Sequence, residues 1–147
     1  MNINTALDNL DKARRSHIKW LNRAKSMVDG ESLVRDPHPL ESTACQFGLW
    51  FNYEGVRLFK ALNIDGIETI HTLHHQLHEK YLTIYEIYFG SAEGIVYDSK
   101  ARLQKNTISI TEEENVRENF RELRELSYLM LEEIQKLQTL LEDSKSS

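Results

Sequence analysis

The chain has little of what stabilises small secreted proteins or anchors proteins in membranes. Its only cysteine is Cys45, so an internal disulfide is excluded and a reducing compartment fits best. No run approaches the roughly 20 apolar residues that a transmembrane helix needs. The N-terminus also lacks the basic and apolar regions of a secretory signal. We therefore expect a cytoplasmic protein that does not bind membranes.

Positive charge is also in short supply, because 18 lysines and arginines face 23 aspartates and glutamates, for a net charge of −5. Nucleic-acid binding usually requires a basic surface, so we do not expect it. A length of 147 residues suits a single domain, residues 1–147, with its own apolar core. A metal ion in such a protein would act as a sensor or a lock rather than as the sole reason that the chain folds.

Only six glycines and two prolines interrupt the sequence, and apolar residues recur at helical spacing almost throughout. This pattern predicts four main helices: Thr5 to Val28, Ser42 to Leu62, Ile67 to Phe89, and Thr111 to Glu142. The last begins with a Thr111/Glu114 capping box, and an extra short helix is predicted from Ala92 to Lys105. Short connections favour an all-α, antiparallel four-helix bundle. The long last helix could pair with a second copy, so we expect a homodimer.

Two potential metal ligands lie in the first two helices. His17 occupies a position in the apolar stripe of the first helix where leucine would be expected. Cys45 lies in the first turns of the second helix, where the helix dipole favours a thiolate. Its predicted face is shared with Gly48, Leu49, Val56 and Phe59.

The third predicted helix carries four histidines, and its helical phase separates them. The buried direction is set by the apolar residues Ile70, Leu73, Leu77, Tyr81, Ile84 and Tyr88. His74 and His78 are the pair that points inward together, one turn apart. His71 is borderline, and His75 faces solvent.

One thiolate and three imidazoles, from Cys45, His17, His74 and His78, make a complete tetrahedral zinc set. Taken singly, each is more often a packed core residue. Burying all four unpaired would cost several kcal/mol, which one bound cation would remove. Ligand chemistry alone does not separate zinc from other transition metals. A site closed by four protein ligands does not generate a metal hydroxide, so we do not expect an enzyme.

The run Cys45-Gln46-Phe47-Gly48-Leu49-Trp50, the upstream His17 and the run Leu73-His74-x-x-Leu77-His78 resemble the chemoreceptor zinc-binding (CZB) domain. The resemblance implies that His17, Cys45, His74 and His78 bind one zinc ion inside a four-helix bundle. It also implies a homodimer with a sensory role in bacterial signalling, with chemoreceptor machinery or a diguanylate cyclase as partner. The input would be zinc itself or oxidation of the cysteine, for example by hypochlorous acid. The chain shows no recognisable output domain, so we expect it to act on a separate partner or to be a free-standing or excised sensor.

Other functions stay open at this point. One is a metal-free helical protein-interaction module in which the histidines are only packed. Another is a hemerythrin-like bundle that binds iron and oxygen, although neither His75 nor His78 has the Glu-x-x-His spacing of di-iron sites. A zinc hydrolase is disfavoured because no His-Glu-x-x-His motif occurs.

Overall fold

A computed structural model describes residues 2–29, 45–89 and 108–145. Its helices are α1 (Ile3–Val28), α2 (Gln46–Trp50), α3 (Val56–Ala61), α4 (Ile67–Phe89) and α5 (Ile110–Lys145). A π-helical segment, Phe51–Gly55, joins α2 directly to α3. The described residues contain no strand, and the predicted all-α helical bundle is confirmed. The extra helix predicted over 92–105, and residues 42–44 of the predicted second helix, lie outside the described residues.

Helix α1 begins slightly earlier than predicted because Asn2 caps it. The Asn2 side chain accepts a hydrogen bond from the Asn4 N–H at 2.8 Å, which satisfies one of the unpaired donors of the first turn. The buried face follows the predicted stripe with small shifts. Leu7 and Leu21 are only partly buried, whereas Met27 is completely buried. The helix therefore keeps its predicted register while its core contacts move slightly around its axis.

The predicted break after α3 is a Schellman-type helix end. The Asn63 N–H donates to the Lys60 carbonyl at 3.1 Å, and the Ile64 N–H donates to the Phe59 carbonyl at 2.9 Å. Asn63 adopts the left-handed backbone conformation that this motif requires, with φ of 54°. Gly66 has φ of 98°, where a side chain would be strained, and α4 then begins at Ile67 as predicted.

Helix α5 starts from a capping box that differs from the predicted one. The Ser109 hydroxyl accepts from the Glu112 N–H at 3.1 Å, and the Glu112 carboxylate accepts from the Ser109 N–H at 3.0 Å. The predicted box of Thr111 and Glu114 is therefore wrong. The sequence offers two Ser/Thr-x-x-Glu pairs that start two residues apart, and the earlier start adds helical hydrogen bonds to the same helix.

The apolar core is organised around α5, which packs along both α1 and α4. Its buried side chains keep a heptad-like spacing and are Val116, Leu123, Ser127, Met130, Ile134, Leu137 and Leu141. Lys80 of α4 and Glu122 of α5 also form an ion pair that is partly exposed to solvent. Solvent-exposed ion pairs add little stability. Among the described residues, no helix has an apolar stretch long enough to cross a lipid bilayer.

Ser127 is the polar exception in this core. Its side chain is 2% exposed, and its hydroxyl oxygen has no hydrogen-bond partner among the described residues. We expect Ser127→Ala to stabilise the protein by about 1 kcal/mol, because the desolvated hydroxyl is removed at little loss of volume. The melting temperature measured by thermal unfolding should then rise by about 3 °C.

Ser144→Ala is the matched control for this prediction, because the Ser144 hydroxyl lies on the same helix and donates to the Leu140 carbonyl at 2.9 Å. We expect this control to leave the melting temperature unchanged or slightly lower. A melting temperature lowered by Ser127→Ala would show that the hydroxyl is satisfied in solution.

Candidate metal centre

His17 is held in one orientation by its own helix. The side chain is 5% exposed, and its Nδ1 lies 2.7 Å from the Ala13 carbonyl oxygen, one turn earlier in α1. A carbonyl can only accept, so Nδ1 carries the hydrogen and donates it. The Nε2 atom is then the ring nitrogen with a free lone pair. Histidines that ligate metals are commonly fixed in this way by a carbonyl on the other nitrogen.

Cys45 is the N-cap residue of α2 and not part of its first turns, as its extended backbone (φ −77°, ψ 154°) shows. The half-buried sulfur accepts a hydrogen bond from the Gly48 N–H at 3.3 Å. Burial raises the pKa of the Cys45 thiol, and hydrogen bonds from backbone N–H groups, Gly48 first, offset only part of this. The thiolate expected from the helix start alone is therefore not favoured without a metal ion.

His74 and His78 lie one turn apart on the inner face of α4, and both are almost fully buried. Their Nε2 atoms are 3.1 Å apart, and the Cys45 Sγ is 3.2 Å from the His74 Nε2. One ligand atom from each of these three residues and from His17 lies within 4.8 Å of the others. In a tetrahedral zinc site the ligand atoms are about 3.3 Å apart for two nitrogens and about 3.5 Å for nitrogen and sulfur. The separations of 3.1 and 3.2 Å are close to these values, and the remaining ones are at most 4.8 Å.

Burial favours the uncharged forms of His17, His74 and Cys45. Burial lowers the pKa of His17. It also lowers the pKa of His74 to about 2, with further lowering by repulsion from the neighbouring histidines, His17 first. Neutral imidazoles offer lone pairs, which a divalent cation can use. The donor set, three nitrogens and one sulfur, suits zinc.

Aromatic rings enclose the cluster. Trp20 lies 4.5 Å from the His78 ring and stacks on Tyr81 at 4.6 Å between ring centroids. Phe47 contacts the His74 ring edge-on at 5.0 Å and the His17 ring at 6.1 Å. Trp20 was not among the predicted site residues. Its spacing of three residues from His17 on α1 is the signal that could have placed it beside the site, because residues three apart share a helix face.

The other histidines of the sequence stay outside the cluster or outside the described residues. His71 and His75 are exposed, and His75 pairs with Glu79 at 3.0 Å between Nε2 and the carboxylate. His38 lies in a range that the structure does not describe. Of the described residues, only His17, Cys45, His74 and His78 form a group of three or more potential ligands.

The model of the family described as the chemoreceptor zinc-binding domain matches residues 17–85. The matched range contains all four residues of the cluster. It ends before α5, which completes the core in the described structure. Neither the curated proteins nor the solved structures that were searched gave a match. The predicted family resemblance is confirmed, and the four-residue cluster is suited to the zinc ion that this domain binds.

Proposed function

We propose, from the premise that residues 17–85 match the chemoreceptor zinc-binding domain, that this protein is a non-enzymatic sensory module of bacterial signalling. It binds one zinc ion through His17, Cys45, His74 and His78. It responds to the availability of zinc or to oxidation of the cysteine sulfur. Its output acts on chemoreceptor machinery or a diguanylate cyclase.

The observation that supports this most is the geometry of the four donors. The three closely spaced atoms Cys45 Sγ, His74 Nε2 and His78 Nε2 have separations of 3.1 and 3.2 Å. Each of these atoms can direct a lone pair at a common point between them, the two imidazoles doing so in the tautomer that carries its hydrogen on Nδ1. A cation at their centre uses all of these lone pairs. No carboxylate belongs to the cluster among the described residues, which disfavours a hemerythrin-like or di-iron site.

The ligands come from three separate segments. His17 belongs to α1, Cys45 immediately precedes α2, and His74 and His78 belong to α4. A bound zinc ion would supply a fixed positive charge and four bonds across these segments, and would keep the Cys45 sulfur as a thiolate. The α1 and α4 helices are also held by α5, whereas α2 packs mainly on α1. Breaking the bond between zinc and Cys45 would therefore affect the position of α2 more than breaking a bond to a histidine would affect α1 or α4.

A response to either input follows from this arrangement. When the Cys45 sulfur is oxidised towards sulfenic acid it becomes a weaker ligand, and when zinc is scarce the site loses its cation. In both cases α2 keeps only its packing contacts, chiefly those of Phe47 in the core. The freed movement of α2, passed along the helices of a homodimer, would be the signal to the partner. A cytoplasmic location would keep this sulfur reduced between signals.

The zinc content of protein purified without a histidine tag tests the proposal. We expect about one zinc ion per chain in the wild type and essentially none in Cys45→Ala/His74→Ala, because that variant retains only two of the four ligands. His71→Ala/His75→Ala is the matched control, since it removes two exposed histidines of the same helix and should retain the ion. Absence of metal from the wild type after zinc loading, with unchanged stability of the double variant, would leave a metal-free interaction module.

A further inference from the structure

A cavity of about 420 Å³ opens beside the metal centre. Its inner wall includes His17, Cys45 and His78, so it reaches three of the four clustered residues. Its lining also includes the aromatic rings of Trp20 and Phe47. Two other cavities lie around the turn at residues 62–66 and do not reach the cluster. A solute that approaches the Cys45 sulfur from this side passes through it.

The outer part of the cavity is polar, and its charged groups are all cationic. Lys12 and Lys19 line it together with the neutral side chains of Asn9, Ser16 and Gln46, and no carboxylate of the described residues does. Lys19 has no carboxylate partner among the described residues. Lys12 pairs with Asp8 at 3.0 Å, but both groups are well exposed to solvent, so the pair is weak.

The surrounding surface of α1 adds to this field. Helix α1 carries six lysines and arginines between Lys12 and Lys25 against two aspartates, Asp8 and Asp11, in a chain whose net charge is −5. Asp11 pairs with Arg14 and Arg15 at the surface, and four positive charges remain in excess on this helix. The positive charge is thus concentrated on the helix that forms the mouth of the cavity. A cleft lined by charge of one sign raises the local concentration of the opposite charge. A hydrated zinc ion is repelled by this mouth, whereas a small anion is attracted.

We propose that this cavity is the route by which solutes reach Cys45, and that Lys12 and Lys19 make the route selective for small anions over cations. Together with the proposed function, on which this step rests, the selectivity implies that the regulator entering here is a small anionic solute that reacts at the sulfur. Free zinc would then reach its site mainly by another path, or while α2 is displaced.

Two alkylating reagents of different charge test the selectivity. Iodoacetate is an anion and iodoacetamide is neutral, and in both the cysteine sulfur displaces iodide to form a carbon–sulfur bond. The ratio of their rate constants on zinc-loaded protein cancels the reactivity of the sulfur itself. We expect Lys12→Glu/Lys19→Glu to lower the iodoacetate rate constant about fivefold at low ionic strength and to change that of iodoacetamide less than about twofold. Lys12→Gln/Lys19→Gln removes the two charges without reversing them and should lower the iodoacetate rate constant by a smaller factor. It replaces the glutamate variant if that variant does not fold.

The matched control is Lys60→Glu/Lys136→Glu, which changes the total charge equally at two exposed lysines that lie neither on α1 nor in the lining of this cavity. An equal drop in the iodoacetate rate constant of this control would assign the effect to overall charge and overturn the proposal. So would an unchanged reagent ratio in both lysine variants. Ser16→Trp should slow both reagents by narrowing the mouth, and equal rates before and after that change would show that the route lies elsewhere. Zinc content measured on the same samples reports the proposed function separately.

Discussion

Removal of zinc by a chelator should lower the melting temperature by about 10 °C or more while most of the helix content remains. A ligand that binds only the folded state stabilises it by about 4 kcal/mol when its free concentration is a thousand times its dissociation constant. For a domain of this size, each kcal/mol shifts the melting temperature by several degrees. The four ligand groups also lose their cation, which leaves buried polar atoms poorly paired.

The loss of stability should not be spread evenly over the molecule. The core between α1, α4 and α5 also contains apolar residues that do not belong to the cluster, such as Leu10, Ile84 and Ile134, all completely buried. The segment from Cys45 to Ala61 depends more on the metal centre. Its first residue, Cys45, is itself one of the four potential ligands, and the α2 helix that follows packs mainly on α1. Local opening is expected where few contacts hold a segment.

Hydrogen exchange followed by mass spectrometry, with and without chelator, measures this distribution. We expect faster exchange in peptides covering residues 46–61 and little change in those from the middle of α5. Cys45→Ser should reproduce the exchange pattern of the chelated wild type even when zinc is present, whereas His75→Gln should behave like the zinc-loaded wild type. Uniformly faster exchange over all helices would mean that the metal holds the whole bundle together and would contradict the local role of Cys45.

Much of the fold follows from local sequence signals that tertiary packing does not override. Helix α4 has the predicted bounds, Ile67–Phe89. Gly66 ends the preceding turn, and apolar residues recur at helical spacing from there to Tyr88. The inward direction of His74 and His78 follows from the same period, because both lie next to the stripe of Ile70 and Leu77. Helical phase is reliable where the helix is regular, and α4 is regular throughout.

The segment around Cys45 was less predictable because it is not a regular helix. Leu49 was expected on the buried face but is 52% exposed, whereas Phe47 was left out and is 5% exposed. Cys45 itself is an extended N-cap, so the helical phase starts one residue later. The π segment then absorbs an extra residue: Phe47 and Phe59 would be about 120° apart on a regular helix and are about 20° apart with it.

The π segment also depends on a close contact that composition does not reveal. Gly55 packs under Trp50, and a Cβ at this position would lie 3.2 Å from the indole ring. Such a contact requires the folded arrangement of both residues, so a single glycine in the sequence indicates only weakened helix propensity. The position of the sulfur relative to the three histidines likewise depends on how α2 is placed, which no local pattern specifies.

Metal-free protein should lose stability steeply as the pH falls below about 6.5. The pKa of His74 is lowered to about 2, first by burial and then by the neighbouring histidines, and burial also lowers the pKa of His17. In the unfolded chain these groups return to about 6.5. Between the two values the unfolded state binds more protons than the folded state, so protonation favours unfolding. The stability present above about pH 6.5 is therefore lost progressively as the pH falls towards the lowered values.

Between about pH 6.5 and its lowered pKa, His74 alone contributes a slope of about 1.4 kcal/mol per pH unit, and His17 adds to the slope in the upper part of this range. Since a whole domain is stable by only about 5–15 kcal/mol, metal-free protein should be much less stable near pH 4 than at pH 7. Urea unfolding at a series of pH values measures the slope directly. His74→Leu should reduce it by about 1.4 kcal/mol per pH unit, because one of the two titrating groups is gone. The slope, unlike the stability itself, does not depend on how well leucine packs.

His75→Leu is the control for this slope, as it removes an exposed histidine of the same helix, and it should keep the wild-type value. A wild-type slope retained by His74→Leu would show that His74 is protonated or solvated in the folded metal-free state, against its burial. With zinc bound, the same histidines are held neutral by coordination, so the acid transition should move to lower pH by an amount that grows with zinc concentration. A zinc-dependent shift in the pH of this transition that disappears in His74→Leu would assign the acid sensitivity to the metal centre. The same burial that keeps these imidazoles neutral leaves their lone pairs available to a cation.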